Sequence, residues 1–191
     1  MNCLKVIVFS FVVLQNNETM KKTIVYLTTV LLSGCSSGSY NRTVDQVEIL
    51  KFMGKWYVLG GRFTFLEKNV HNAVESYVYN TEKDRIDIQF SYNQDSLDGK
   101  LKQIPQTAWI ENKKTNAHWK VSPIWPLKFD YLVIDLADDY SWTAIGVPSE
   151  KYLWIMAKDW RQPEAIMEKA LKSLGEKGYN IKDIVLAPHR H

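Results

Sequence analysis

The sequence predicts an all-β domain of eight short antiparallel strands, an up-and-down barrel or a sandwich, followed by one helix and a short ninth strand. Three observations carry this. From about residue 55 onward, apolar residues recur mostly at every second position. Turn-forming segments at 80–84, 95–99, 112–116, 138–139 and 148–150 separate the runs. Aromatics make up 13% of the chain, with seven Trp and ten Tyr, which favours strands around a large aromatic interior.

The chain opens on a targeting segment, residues 1–34. Met20-Lys21-Lys22 followed by the apolar run Thr23 to Leu32 reads as a charged head and a short hydrophobic stretch. That stretch is too short for a stable membrane-spanning helix. It ends in Leu32-Ser33-Gly34-Cys35, which is similar to the lipobox of bacterial lipoproteins. The pattern implies cleavage before Cys35 and acylation of its thiol and new amine. Each buried CH₂ contributes roughly 0.8 kcal/mol, and more than one chain gives stable anchoring. By resemblance to the sorting pattern of Gram-negative lipoproteins, in which an Asp here signals retention, Ser36 implies an outer-membrane address, lipid-anchored and facing the periplasm. Residues 35–44 form the lipidated N-terminus and tether, with Ser36-Ser37-Gly38-Ser39 flexible. A second apolar run, Val6 to Leu14, precedes Met20 and makes Met20 the expected true start.

Both cysteines, Cys3 and Cys35, fall at or before the expected lipidation point, so the domain holds no disulfide and no thiolate metal site. Net charge is +3, of which the leader carries +2, leaving the mature part near +1. With no basic cluster longer than a pair, nucleic acid is not an expected partner.

Strands are predicted over 55–63, 73–80, 85–92, 105–112, 117–122, 129–136, 141–147 and 151–158. Gln162-Pro163-Glu164-Ala165 opens a helix, with Pro near the first turn and Glu beside the positive end of the dipole. Ile166, Ala170, Leu171 and Leu174 form its apolar stripe, and Gly175 or Gly178 stops it. Ile181 to Leu186 is the candidate ninth strand. The domain spans 45–187, and 188–191 is a tail.

Three stretches carry a family resemblance. They are Phe52-Met53-Gly54-Lys55-Trp56-Tyr57, then Tyr131-Leu132-Val133-Ile134-Asp135 through Asp139-Tyr140-Ser141-Trp142, then Tyr152-Leu153-Trp154-Ile155-Met156-Ala157-Lys158. In their order and spacing the chain resembles bacterial lipocalins of the outer-membrane lipoprotein Blc type, over about residues 45–187. The resemblance implies an eight-stranded antiparallel up-and-down lipocalin barrel. It assigns Gly54, Trp56 and Lys158 to the scaffold that closes one end. Two departures stand out. The family's barrel-closing Arg falls here on Lys158, which keeps a cation–π contact with Trp56 but lacks the planar fork of donors. Gly60-Gly61-Arg62-Phe63 is one residue longer than the family spacing, which predicts a bulge or sharp bend in the first strand.

Such a barrel is just wide enough for one small ligand. Alternation turns Ile88, Phe90 and Tyr92 of the third strand inward, and Trp119 and Val121 of the fifth. In the second, Val74, Ser76 and Val78 compete with Glu75, Tyr77 and Tyr79, and alternation does not decide. Trp109, Tyr131 and Trp142 complete the ligand-lining set. A wall of this kind suits an apolar small molecule such as a fatty acid or lysophospholipid. A barrel filled by its own aromatics is the alternative. The loop from Thr64 to Asn72 forms the entrance, and the loop 122–127, with Trp125 exposed, suits a lid, a membrane contact or a homodimer interface.

No nucleophile elbow, His-Glu-x-x-His or phosphate loop occurs. His71, His118, His189 and His191 are isolated, the last two at a terminus expected to face solvent. No enzymatic activity, cofactor or metal is expected. An enzyme on this barrel would need an acid in the cavity, for which Asp87 and Asp135 are the candidates.

Overall fold

The structure is a computed structural model that describes residues 39–67 and 69–190. The leader and Cys35 lie outside the described residues. After a one-turn helix α1 (Ile49–Phe52) come β1 (Gly54–Arg62), β2 (Val70–Asn80), β3 (Arg85–Gln94), β4 (Leu101–Ile110), β5 (His118–Ser122), β6 (Phe129–Leu136), β7 (Trp142–Gly146) and β8 (Leu153–Ala157). The helix α2 (Pro163–Glu176) and β9 (Val185–Leu186) follow. Consecutive strands pair antiparallel from β2 to β8, and β1 pairs with both β8 and β2. The ladder is thus a closed eight-stranded barrel, without the free edges an open sheet would expose.

β1 closes the barrel with a different partner along each half. Gly54–Tyr57 pair with β2. Beyond them β1 and β2 part, and β9 takes the vacated side opposite Gly60 and Gly61. This accounts for the shortness of β9 relative to the expected run from Ile181. Only two positions of β1 are open to it, and Asp183 at φ 56° breaks the extended backbone. The register of β1 on β8 shifts between Val58 and Gly60, which is the expected bulge. A Cβ on Gly61 would come 2.0 Å from the Leu153 carbonyl oxygen, so this close approach admits only glycine.

β4 begins four residues earlier than expected, ahead of Pro105. Residues 101–106 pair with β3 alone, because β5 spans only Thr107–Ile110. A proline is tolerated on such an unpaired flank, where its missing N–H costs no ladder bond.

Two apolar clusters result. One fills the barrel and contains Phe52, Trp56, Val58, Tyr77, Ile88, Phe90, Trp119 and Tyr131. The other lies on the outer face of β6–β8, where Leu132, Ile134, Ala144 and Ile155 pack under Met167, Ala170 and Leu174 of α2. The helix stripe centres on Met167, with Ile166 and Leu171 at its half-buried flanks. α2 runs through Gly175 and stops where Gly178 takes φ 75° and Tyr179 N–H bonds the Leu174 carbonyl at 2.9 Å.

Candidate functional site

The barrel interior is built in two levels. At the closed end the aromatics are packed on one another. Phe52 lies 4.9 Å from Trp56, 5.2 Å from Trp119 and 5.6 Å from Tyr77, between ring centroids. Trp119 stacks on Tyr131 at 5.2 Å, with planes 5° apart. Their polar atoms are satisfied inside the same layer. Trp56 Nε1 donates to the Phe52 carbonyl and Trp119 Nε1 to that of Asn116, each at 2.7 Å. The hydroxyls of Tyr77 and Tyr131 meet at 2.6 Å. Below this floor, Lys158 Nζ sits 4.0 Å from the Trp56 ring centroid and donates to the carbonyls of Met53 at 2.8 Å and Phe52 at 3.4 Å.

Above the floor the wall stays apolar, with one exception. Ala73, Glu75 and Tyr77 alternate inward on β2, which settles the ambiguity of that strand. Glu75 lies between Trp56 of β1 and Phe90 of β3 in the register, and both are interior residues. Its Oε2 is buried and has no hydrogen-bond partner among the described residues. Burial pushes this carboxyl up to about 8, and the neighbouring charge of Glu67 adds to the rise. Glu67 lies in the entrance loop on a 3₁₀ turn, Phe65–Glu67. Its carboxylate accepts from the Thr64 N–H at 3.0 Å, the Thr64 hydroxyl at 2.7 Å and Trp154 Nε1 at 3.1 Å. Burial and these two acids together hold the Tyr131 hydroxyl well above its ordinary range.

Of the expected ligand-lining residues, Ile88, Phe90, Tyr92, Trp119, Val121 and Tyr131 come together in the interior cluster. Trp109 and Trp142 do not, and the expectation for both is corrected. β4 turns Ala108 and Ile110 inward, opposite Val121 and Trp119, so Trp109 falls on the outer face opposite Lys120. There Lys128 Nζ lies 4.2 Å from its ring centroid. β7 turns Ile145 inward, which sends Trp142 and Ala144 outward to the α2 side. Asp87 and Asp135 do not face the barrel interior either. Asp87 pairs with Arg85 at 2.8 Å, and Asp135 with Lys177 below α2 at 2.7 Å.

Within the terminal segment, Pro188 and Arg190 are exposed as expected, and His189 is not. His189 is half-buried between the rings of Tyr57 and Trp160, with its Nε2 2.8 Å from the Val58 carbonyl. It seals the seam where β1 leaves β2. Burial lowers its pKa, which opposes charging there. Among the described residues, no cluster of three or more His, Cys, Asp or Glu could hold a metal ion.

Glu75 and Glu67 are the site residues that sequence reasoning missed. The available signal was the pairing of Glu75 with Tyr77 and Tyr79 on one face of β2, two large aromatics that belong inside.

A closed eight-stranded barrel with a plugged end, an aromatic interior and a C-terminal helix on its flank defines a protein of the lipocalin class. The comparisons agree: the lipocalin-like domain model matches residues 47–189, and the chain belongs to the lipocalin family. Within it the chain is of the bacterial Blc type. It is 23% identical over 168 residues to the outer membrane lipoprotein Blc of Vibrio cholerae, covering 87% of this chain and 97% of that one. It is 27% identical over 154 residues to temperature-induced lipocalin-1 of Arabidopsis thaliana, covering 76% and 81%. Among solved structures, insecticyanin of the tobacco hornworm Manduca sexta superposes with a TM-score of 0.62 at 12% identity, over 80% of this chain and 86% of that one. Apocrustacyanin C2 superposes at 0.59 and 9%, over 75% and 80%. These likenesses carry the fold alone.

Proposed function

We propose that this lipocalin is anchored to the outer membrane through lipidated Cys35, faces the periplasm, and holds one apolar molecule in its barrel, storing or moving it at the envelope. A fatty acid or a lysophospholipid is the ligand class. The observation that supports this reading is the interior itself: Ile88, Phe90, Tyr92 and Val121 form an apolar barrel wall above a packed aromatic floor. The printed description of the Vibrio cholerae relative, an outer membrane lipoprotein, supports the address.

The rim supports a membrane contact. In an up-and-down barrel the loops after β1, β3, β5 and β7 share one end. That end exposes Phe65, Leu101, Ile124, Trp125, Leu127 and Phe129, with Lys128 among them. Exposed aromatics interleaved with a cation suit the headgroup boundary of a bilayer. The described chain also begins at this rim, where Tyr40 N–H donates to the Pro148 carbonyl at 2.8 Å. An anchor ahead of Tyr40 would hold the mouth toward the lipid.

Binding without chemistry is the favoured activity. The buried carboxyl of Glu75 is the observation that favours an enzyme, yet its Oε2 has no hydrogen-bond partner among the described residues. The test is native mass spectrometry with lipid extraction on the full chain expressed in a bacterial host. A co-purifying acyl lipid, together with membrane release in Cys35→Ala, supports the proposal. A ligand-free protein whose Trp emission does not respond to added acyl lipids overturns it.

A further inference from the structure

We infer that Glu75 is the polar seat of the ligand, so that the barrel takes an elongated apolar molecule polar end first, and that this end carries a hydrogen-bond donor: a hydroxyl or an undissociated carboxyl. This rests on the reading of the barrel as a lipid carrier and narrows it.

The position of Glu75 is the first argument. Its cross-strand neighbours Trp56 and Phe90 and its strand neighbour Tyr77 all belong to the interior cluster, so the carboxyl stands where the packed floor meets the apolar wall. The residue is 7% exposed, and Oε2 has no partner among the described residues. A buried oxygen left unpaired costs free energy, and a folded protein tolerates it where a partner arrives from outside. None of the polar groups around it bonds Oε2. The Tyr77 and Tyr131 hydroxyls engage each other, and Glu67 is held by Thr64 and Trp154. Glu75 Oε2 is therefore the buried oxygen left unpaired, and an incoming hydroxyl, which donates as well as accepts, matches a carboxyl that keeps its proton.

Charge is the second argument. The acidic groups facing this space are Glu75 and Glu67, with the Tyr131 and Tyr77 hydroxyls beside them. A phosphodiester is anionic at every physiological pH, and seating it at Glu75 would bury a charge in the apolar interior, with the neighbouring charge of Glu67 opposing it. A lysophospholipid would have to leave its headgroup at the rim and lay its tail against Glu75, leaving Oε2 unpaired. A neutral hydroxyl carries no such penalty. The apolar wall of Phe90, Tyr92 and Ile104 then covers the chain that trails toward the mouth.

The experiment titrates the ligand-stripped, folded protein with dodecanol, its methyl ether, dodecanoic acid and a twelve-carbon lysophosphatidylcholine, read by Trp emission and calorimetry. The expected result is dodecanol bound roughly ten- to a hundredfold tighter than its methyl ether, which keeps an acceptor but loses the donor. Glu75→Leu removes that preference, while Glu75→Gln, which keeps an acceptor in the same shape, retains most of it. Equal affinity for alcohol and ether in the unmutated protein overturns the inference, whatever the variants do. So does an unchanged preference in Glu75→Leu. Failure of all four compounds to bind overturns the lipid-carrier reading itself, a distinct outcome.

Discussion

Lys158 Nζ lies 4.0 Å from the centroid of the Trp56 ring and donates to the Met53 carbonyl at 2.8 Å. One side chain thereby joins the end of β8, Trp56 of β1 and the end of α1 across the closed end. A Cβ on Gly54, at φ 96°, would lie 3.7 Å from the same Nζ, so the positive-φ turn also brings the chain beneath the cation. Where the family places Arg, Lys supplies the same charge with fewer donors.

Lys158→Met keeps the stem and removes the cation. We expect a loss of about 2 kcal/mol, from charge-assisted bonds and the cation–π contact, or roughly 4–8 °C in Tm. Lys158→Arg should restore most of it. Thermal unfolding followed by circular dichroism distinguishes them, and equal melting of all three would remove Lys158 from the closure.

Glu75 makes stability fall as pH rises. Its folded pKa stands at about 8 against an ordinary 4.5. Between those values the folded protein keeps a proton that the unfolded chain has released, so the unfolded state gains on each step upward. The slope approaches about 1.4 kcal/mol per pH unit in the middle of that window. Lys158, lowered by burial from 10.5 to about 8, acts in the opposite sense and higher. There the unfolded chain binds the proton more tightly, so its contribution recovers as pH climbs from about 8 to 10.5. Urea unfolding at pH 5, 6, 7 and 8 should show the decline in the unmutated chain and a flatter profile in Glu75→Gln. Parallel profiles would place the burden elsewhere.

Gly146→Ala should act through Tyr179. The added Cβ would sit 2.5 Å from the Tyr179 hydroxyl. That hydroxyl accepts from the Val147 N–H at 3.1 Å and donates to the Tyr152 carbonyl at 2.7 Å, tying the segment after α2 to the β7–β8 loop. Displacing it costs about 2 kcal/mol by overpacking and lost bonds. Tyr179→Phe removes the same bonds but leaves the ring carbons Cζ and Cε2 2.7 and 2.9 Å from the added Cβ, so the double variant should be about as destabilised as Gly146→Ala alone. Additive losses in a double-mutant cycle would show that the two changes act independently.

The fold was legible because its signals are local. Period-two runs and turn residues placed the strands within a few positions, Gly60-Gly61 announced the bulge, and Pro163 with Gly178 bounded the helix. What stayed hidden depends on which face of a strand meets which neighbour. Trp109 and Trp142 belong to strands whose two faces are both rich in apolar or aromatic residues, so alternation offered no choice between barrel and flank. Glu75 was hidden for the opposite reason. A lone acid in a strand ordinarily marks the solvent side, and here it shares its face with Tyr77, which the barrel takes inside. His189 gained its partners from a seam that exists only after the barrel has closed.

Floor and wall should separate under mutation. Trp119 is fully buried, stacked on Tyr131 and in edge contact with Phe52, so Trp119→Ala opens a void in the packed layer and should cost about 3–5 kcal/mol. Tyr92 stands higher, 8% exposed and 5.1 Å from Phe90 between centroids. Tyr92→Ser should weaken dodecanol binding about tenfold through lost apolar contact, with a smaller fall in Tm. Affinities compared at equal folded fraction decide between the levels. If Trp119→Ala weakened binding more than Tyr92→Ser under that correction, the ligand would reach into the aromatic layer. The floor would then be part of the site rather than its base, and Glu75 would contact the chain of the ligand instead of its polar end.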